Sequence, residues 1–223
     1  MQTVLITGAN RGIGLALTQQ CLQRGDRVIA VCRDAGSQLP ATGAQVEAGV
    51  DVTDARAVEA LAQRLGDTQL DRVILNAGIM SFERLGSLDE DAFQRMRHQF
   101  EVNALGPLRF VEALAKNLGE GSKIGLMTSR MGSISDNGSG GSYGYRASKA
   151  ALNAIGKSLA LDLAPRKIGV FLLHPGYVAT DMVGGTGDVS PDHAAKQLLA
   201  RLDALELDQS GSFWHANGNE LPW

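Results

Sequence analysis

The chain has 223 residues, 44% of them hydrophobic, and a net charge of −3; it is long enough for one domain with a full core and short for two. Acids and bases are mixed, with no Lys/Arg run to track a phosphate backbone. Two cysteines and four scattered histidines (His98, His174, His193, His215) offer neither a disulfide framework nor metal spacing. No apolar run approaches the ~18 residues of a membrane span, and no basic leader precedes the first strand pattern. The expectation is a cytoplasmic protein with no metal, no nucleic-acid partner and no membrane partner.

In chain order, "TVLIT" (3–7) reads as a buried strand. "GIGLALTQQCLQRG" (12–25) follows as a helix, with Gly25 as its stop signal. "RVIAVC" (27–32) is a second strand, 44–52 contains a third, and a helix begins near Thr53. "DRVILNA" (71–77) is a fourth strand, followed by helical patterns over about 89–100 and 103–118. "SKIGLMTS" (122–129) is a fifth strand, and 132–142 a Gly/Ser-rich loop. A long helix is expected from Tyr145 to Leu163, then strands over 168–174 and 211–214. Strands alternating with helices imply βαβ units. The fold class is α/β: one Rossmann-type doubly wound parallel sheet of about seven strands, covered on both faces, as a single domain over 1–223.

"TGANRGIG" (7–14) lies between the first strand and the first helix. Glycines there let the backbone turn tightly and approach a pyrophosphate, and the helix N-terminus offers free N–H groups to the anion. Near "YGYRASK" (143–149), Tyr145 and Lys149 are four apart and share a helix face, whereas Tyr143 and Lys149 are six apart and do not. If the helix begins near Tyr145, only Tyr145 shares a site with Lys149.

TGxxxGxG, an Asp after the third strand (Asp51), NAG (76–78), YxxxK and a Pro-Gly turn (Pro175, Gly176) with Thr180 beyond it occur in one order. With these motifs the sequence resembles the short-chain dehydrogenase/reductase family over nearly its whole length. "YGYRASKAALN" and "LPW" look most like its subgroup of small carbonyl reductases related to the C-factor signalling protein. The resemblance implies catalytic residues Asn103, Ser129, Tyr145 and Lys149. It implies a nicotinamide cofactor held by Gly8, Asn10, Arg11, Gly12, Ile13, Gly14, Arg33, Asp51, Val52, Asn76, Ala77, Gly78, Tyr145, Lys149, Pro175, Gly176, Val178 and Thr180.

Aligned by strand pattern, Cys32 falls where NAD-binding members carry a ribose-binding Asp, and Arg33 stands next to it. A planar guanidinium suits a 2′-phosphate. With Arg11 as a second cation, this favours NADP over NAD, although Asp34 points the other way. The implied reaction is reduction of a small carbonyl compound, or oxidation of the corresponding alcohol. Lys149 is expected to lower the pKa of Tyr145, the proton donor. Ser129 would hold the substrate oxygen, with Thr128, Ser133 and Ser135 as rivals because 15 residues separate Ser129 from Tyr145. Asn103 is either the family's water-holding helix-kink residue or a plain N-cap. Segment 177–190 reads as a mobile lid. Met80, Met131, Tyr143, Met182 and Val183 are candidate apolar lining residues.

Two other functions are open to the sequence. "GGSYG" (140–144) fits the G-x-S-x-G pattern of a hydrolase elbow, but no strand leads into Ser142. A non-catalytic NADP(H) sensor on the same fold would be expected to lack the tyrosine or the lysine, and both are present. The family's subunit pairing implies a homodimer or homotetramer, and the small residues of 147–160 allow close helix contact across a two-fold axis.

Overall fold

Successive residues of a strand point to opposite faces of its sheet, and here both faces are dry. In the computed structural model, which describes all 223 residues, Val4 and Ile6 of β1 (Thr3–Thr7) enter one buried cluster and Leu5 enters the other. The same division separates Phe171 and Leu173 from Val170 and Leu172 on β6 (Gly169–His174). The remaining strands are β2 (Arg27–Val31), β3 (Gln45–Glu47), β4 (Arg72–Leu75), β5 (Lys123–Met127) and β7 (Phe213–His215). All pair in parallel, in the order β3-β2-β1-β4-β5-β6-β7.

Helices α1 (Gly12–Gln23) and α6 (Pro191–Ala204) cover one face through Leu17, Leu198 and Leu202. The other face packs under α2 (Ala55–Leu65), α4 (Gly106–Ala113) and α5 (Tyr143–Leu163) through Leu61, Phe110 and Leu152. Helix α3 (Glu90–Phe100) lies against α5. The chain order reverses beside β1, so the C-terminal ends of β1 and β4 open a crevice, where ligands bind in sheets of this kind. No helix is long and apolar enough to cross a membrane.

Three local expectations are corrected. Helix α5 starts at Tyr143, two residues before the expected start. The pattern over 103–118 is not one helix. Residues Glu101–Leu105 form π-helical turns, α4 follows, and the segment ends in a short 3-10 turn. Pro107 has no N–H to offer the carbonyl four residues back, that of Asn103, and the chain widens there. Asn103 is therefore inside a π segment and is not an N-cap. Finally, α6 was not foreseen, although Ser190 caps it by accepting from His193 N and Pro191 occupies its first turn.

Candidate active site

A cleft of about 430 Å³ runs across the crevice, within the size range of small-molecule and cofactor sites. Its floor is the glycine loop. The loop is pinned from the next strand by Asn76, whose Nδ2 donates to the carbonyls of Thr7 (3.1 Å) and Gly8 (3.3 Å), and by Ala77 N, which donates to Thr7 Oγ1 (3.1 Å). Gly8 holds φ +65, and a Cβ on it would meet Ala77 Cα at 2.9 Å. A Cβ on Gly14 would run into the Gly8 carbonyl. The first turn of α1 carries no acidic residue, and Arg11 in the cap position makes no side-chain cap bond. Its N–H groups are open to an anion.

Arg11 and Arg33 both line the cleft. Arg33 lies 3.8 Å from Asp51, and Arg11 is 3.3 Å from Asp181 of the 177–190 segment. Burial pushes the Asp51 carboxyl up, but the N–H and hydroxyl of Thr53, with Arg33 beside them, hold it below the usual carboxylate range. The rival carboxylate, Asp34, accepts from Gly36 N at 2.9 Å and so caps its own turn. These residues fit a 2′-phosphorylated dinucleotide: two cations and an uncapped helix N-terminus line one cleft.

Tyr145 and Lys149, 9% and 4% exposed, line the same cleft. Tyr143, on the same helix, is 40% exposed and absent from the lining, although it was a candidate lining residue. Lys149 Nζ donates to Met127 O at 2.8 Å and sits 5.8 Å from the centre of the Tyr145 ring. Burial drives both groups towards their neutral forms. It raises the Tyr145 phenol, with the Ser129 hydroxyl pulling the other way, and pushes Lys149 down to about 7. Burial outweighs any lowering of the phenol by Lys149 alone, because an ammonium so desolvated loses much of its own charge near neutrality; the expected lowering also draws on the positive charge of an oxidised nicotinamide.

Among the serine and threonine candidates, Ser129 stands beside the phenol. Its oxygen accepts from Met131 N, and its hydroxyl is turned to the Tyr145 phenol. Thr128 spends its hydroxyl on Asn153, and Ser135 on the carbonyl of Trp223; Ser133 lies against Ser135. Asn103 is fully buried. Its oxygen accepts from Ile79 N, and its amide donates to Ile79 O and Ser148 Oγ.

Of the residues expected to hold the cofactor, Asn10, Gly12, Ile13, Val52, Gly78, Pro175 and Thr180 also line the cleft. Gly14, Asn103, Ser129, Gly176 and Val178 stand outside its lining. Gly14 backs the Gly8 turn, and Val178 is buried in a bridge to Val189. Of the apolar candidates, only Met182 reaches the cleft. Ile79, Val102 and Asp181 line it without having been foreseen. For Asp181 the only signal was a charge within the lid segment. Ser142 follows a loop, not a strand, so the hydrolase elbow is not formed. His174 and His215 pack edge-on against each other at 4.9 Å.

The sequence model of the short chain dehydrogenase family matches residues 2–189, and the chain belongs to that family. It is 46% identical, over the full length of both chains, to the 1-hydroxy-2-glutathionyl-2-methyl-3-butene dehydrogenase of Rhodococcus sp. (strain AD45). It is 38% identical to the C-signal protein of Myxococcus xanthus, over 74% of this chain and 100% of that one. Among solved structures, it matches an NADPH-bound carbonyl reductase from chicken fatty liver at a TM-score of 0.90 and 30% identity, over 100% of this chain and 99% of that one. The chain is accordingly a short-chain dehydrogenase/reductase, an oxidoreductase on a Rossmann-type sheet.

Proposed function

We propose that this enzyme uses NADP(H) to reduce a small carbonyl compound, or to oxidise the corresponding alcohol, with Tyr145 as the general acid or base. The observation that carries this reading is the burial of Tyr145 and Lys149 together in a cleft that Arg11 and Arg33 also line. Arg33 and Arg11 would take the 2′-phosphate, the α1 N-terminus the pyrophosphate, Asp51 and Val52 the adenine, and Asn76, Ala77, Gly78 and Lys149 the ribose side. The NADPH-bound neighbour supports this choice of cofactor.

When bound, the dihydronicotinamide supplies the hydride. The chain's residues handle the proton. Ser129, beside the phenol, would turn its hydroxyl proton to the substrate oxygen as a hydrogen bond and stabilise charge growing there. Tyr145, held neutral by burial, carries the proton that this oxygen requires. Once the phenol has released it, the phenolate favours the charged form of Lys149, so the pair holds opposite charges in a dry site. Asn103 ties the main chain of Ile79 to the side chain of Ser148, the residue before Lys149.

The test is to follow cofactor oxidation or reduction with NADPH and NADH against short aldehydes, diketones, and hydroxy and oxo thioethers of glutathione. The last class is included because the Rhodococcus relative acts on a glutathionyl alcohol. Turnover of at least one class, faster with NADPH than with NADH, supports the reading. Tight NADPH binding with no turnover in either direction overturns it.

A further inference from the structure

Helix α5 begins without a cap of its own. Ser142, at its N-cap, has φ 47 and makes no side-chain cap bond, yet the first N–H groups of a helix need acceptors. They find one in a distant loop. Ser142 N donates to the backbone carbonyl of Glu83 at 2.9 Å. Gly144 N, one residue before Tyr145, donates to Glu83 Oε2 at 3.1 Å.

Glu83 is 3% exposed and has no cationic partner. A carboxylate is costly to bury unless donors surround it. Here its Oε1 accepts from Ser81 Oγ (2.6 Å) and Gln99 Nε2 (2.8 Å). Gln99 closes the circuit by donating to Ser81 Oγ (2.7 Å) and accepting from Ser81 N (2.9 Å). The positive end of the α5 dipole adds to the stabilisation. Packing at this point leaves no slack. A Cβ on Gly144 would lie 2.5 Å from Gln99 Nε2 and 2.8 Å from Met96 Cγ. The loop that carries Glu83 follows directly from Asn76, Ala77 and Gly78 of the cleft wall.

We propose that Glu83, clasped by Gln99 and Ser81, is a positioning residue for Tyr145. Its carboxylate is the cap of α5, and it fixes the phenol relative to the cofactor-side wall of the cleft. The proposal rests on the reading of Tyr145 as proton donor. A helix whose first turn is released moves its third residue, Tyr145, with it. Misplacement of a reacting group by about 1 Å is enough to cost on the order of 10²-fold in rate.

Glu83→Gln keeps the volume but puts an NH₂ against a donor, either Gly144 N–H or the Ser81–Gln99 pair. Glu83→Asp keeps the charge and shortens the reach. Both are assayed with NADPH and a reactive aldehyde for kcat, KM and the solvent deuterium isotope effect. NADPH titration gives the affinity and the binding-competent fraction. In Glu83→Gln, kcat per competent site should fall at least about tenfold, NADPH affinity should hold within about twofold, and the solvent isotope effect should rise as proton transfer slows. Glu83→Asp should recover part of the loss.

Wild-type kcat and isotope effect in Glu83→Gln would overturn the proposal. So would a loss wholly explained by a smaller competent fraction. If Glu83→Gln does not fold, Glu83→Asp carries the same readouts, and wild-type values there overturn it. Tyr145→Phe is run alongside. If that variant is fully active, the reading of Tyr145 itself is wrong; if it is inactive while Glu83→Gln is unaffected, only the clasp is.

Discussion

Replacing Lys149 by Met should change how stability depends on pH. In the folded chain the ammonium is buried and its pKa is pushed down from 10.5 to about 7. The unfolded chain keeps the ordinary value. Between about pH 7 and 10.5 the unfolded state therefore binds a proton that the folded state does not, and stability rises with pH through that window. Below pH 7 both states are protonated and the full penalty of burying the charge remains. Integrated from pH 7 to 9, the gain for wild type is about 2 kcal/mol. For a chain of this size, that is roughly 4–8 °C in melting temperature. Lys149→Met has no such proton and should lack this rise. It should also be the more stable of the two at pH 7, less the loss of the donor to Met127 O. The assay is urea denaturation of both proteins at pH 7 and 9 without cofactor. Equal changes between the two pH values in wild type and variant would show that the ammonium is not desolvated.

Further outcomes follow from the same geometry. Arg33→Asp should weaken NADPH relative to NADH by at least ~1.4 kcal/mol, a tenfold change in the ratio of affinities; an unchanged ratio in titration would remove Arg33 from the cofactor site. Gly14→Ala should abolish NADPH binding and destabilise the fold by ~1–3 kcal/mol, because its Cβ meets the Gly8 carbonyl and not a side chain that can swing away; denaturation and titration check both effects. The chain should sediment as at least a dimer at micromolar concentration. Ala147, Ala154 and Leu161 are exposed at seven-residue spacing along α5, so Ala154→Arg should shift it towards monomer, and a wild-type monomer would refute the assignment.

Much of this was legible in local sequence. Short β-branched runs located the strands because both faces of a parallel sheet are dry. The four-residue spacing of Tyr145 and Lys149 separated the two tyrosines because a helix fixes which side chains share a face. What was missed depends on partners remote in sequence. The start of α5 could not be found locally, since its cap is Glu83, 61 residues from the N–H of Gly144 that it serves. Arg11 and Asp181, 170 residues apart, meet only in the folded chain. The charge states of Tyr145 and Lys149 follow from burial, which no spacing reveals. Helix α6 is a different case. Ser190 and Pro191 carried an ordinary start signal, and Ala194, Leu198 and Leu202 an ordinary apolar stripe.

The central claim is that Tyr145 supplies the proton. It is tested most directly by NADPH-dependent reduction of a reactive aldehyde by Tyr145→Phe and Tyr143→Phe, side by side. Tyr145→Phe should bind NADPH as wild type does and lose kcat and kcat/KM together, by at least ~10²-fold, because the phenol acts in the transition state. Tyr143→Phe should change KM at most, by less than about tenfold. An active Tyr145→Phe beside an inactive Tyr143→Phe would contradict the account.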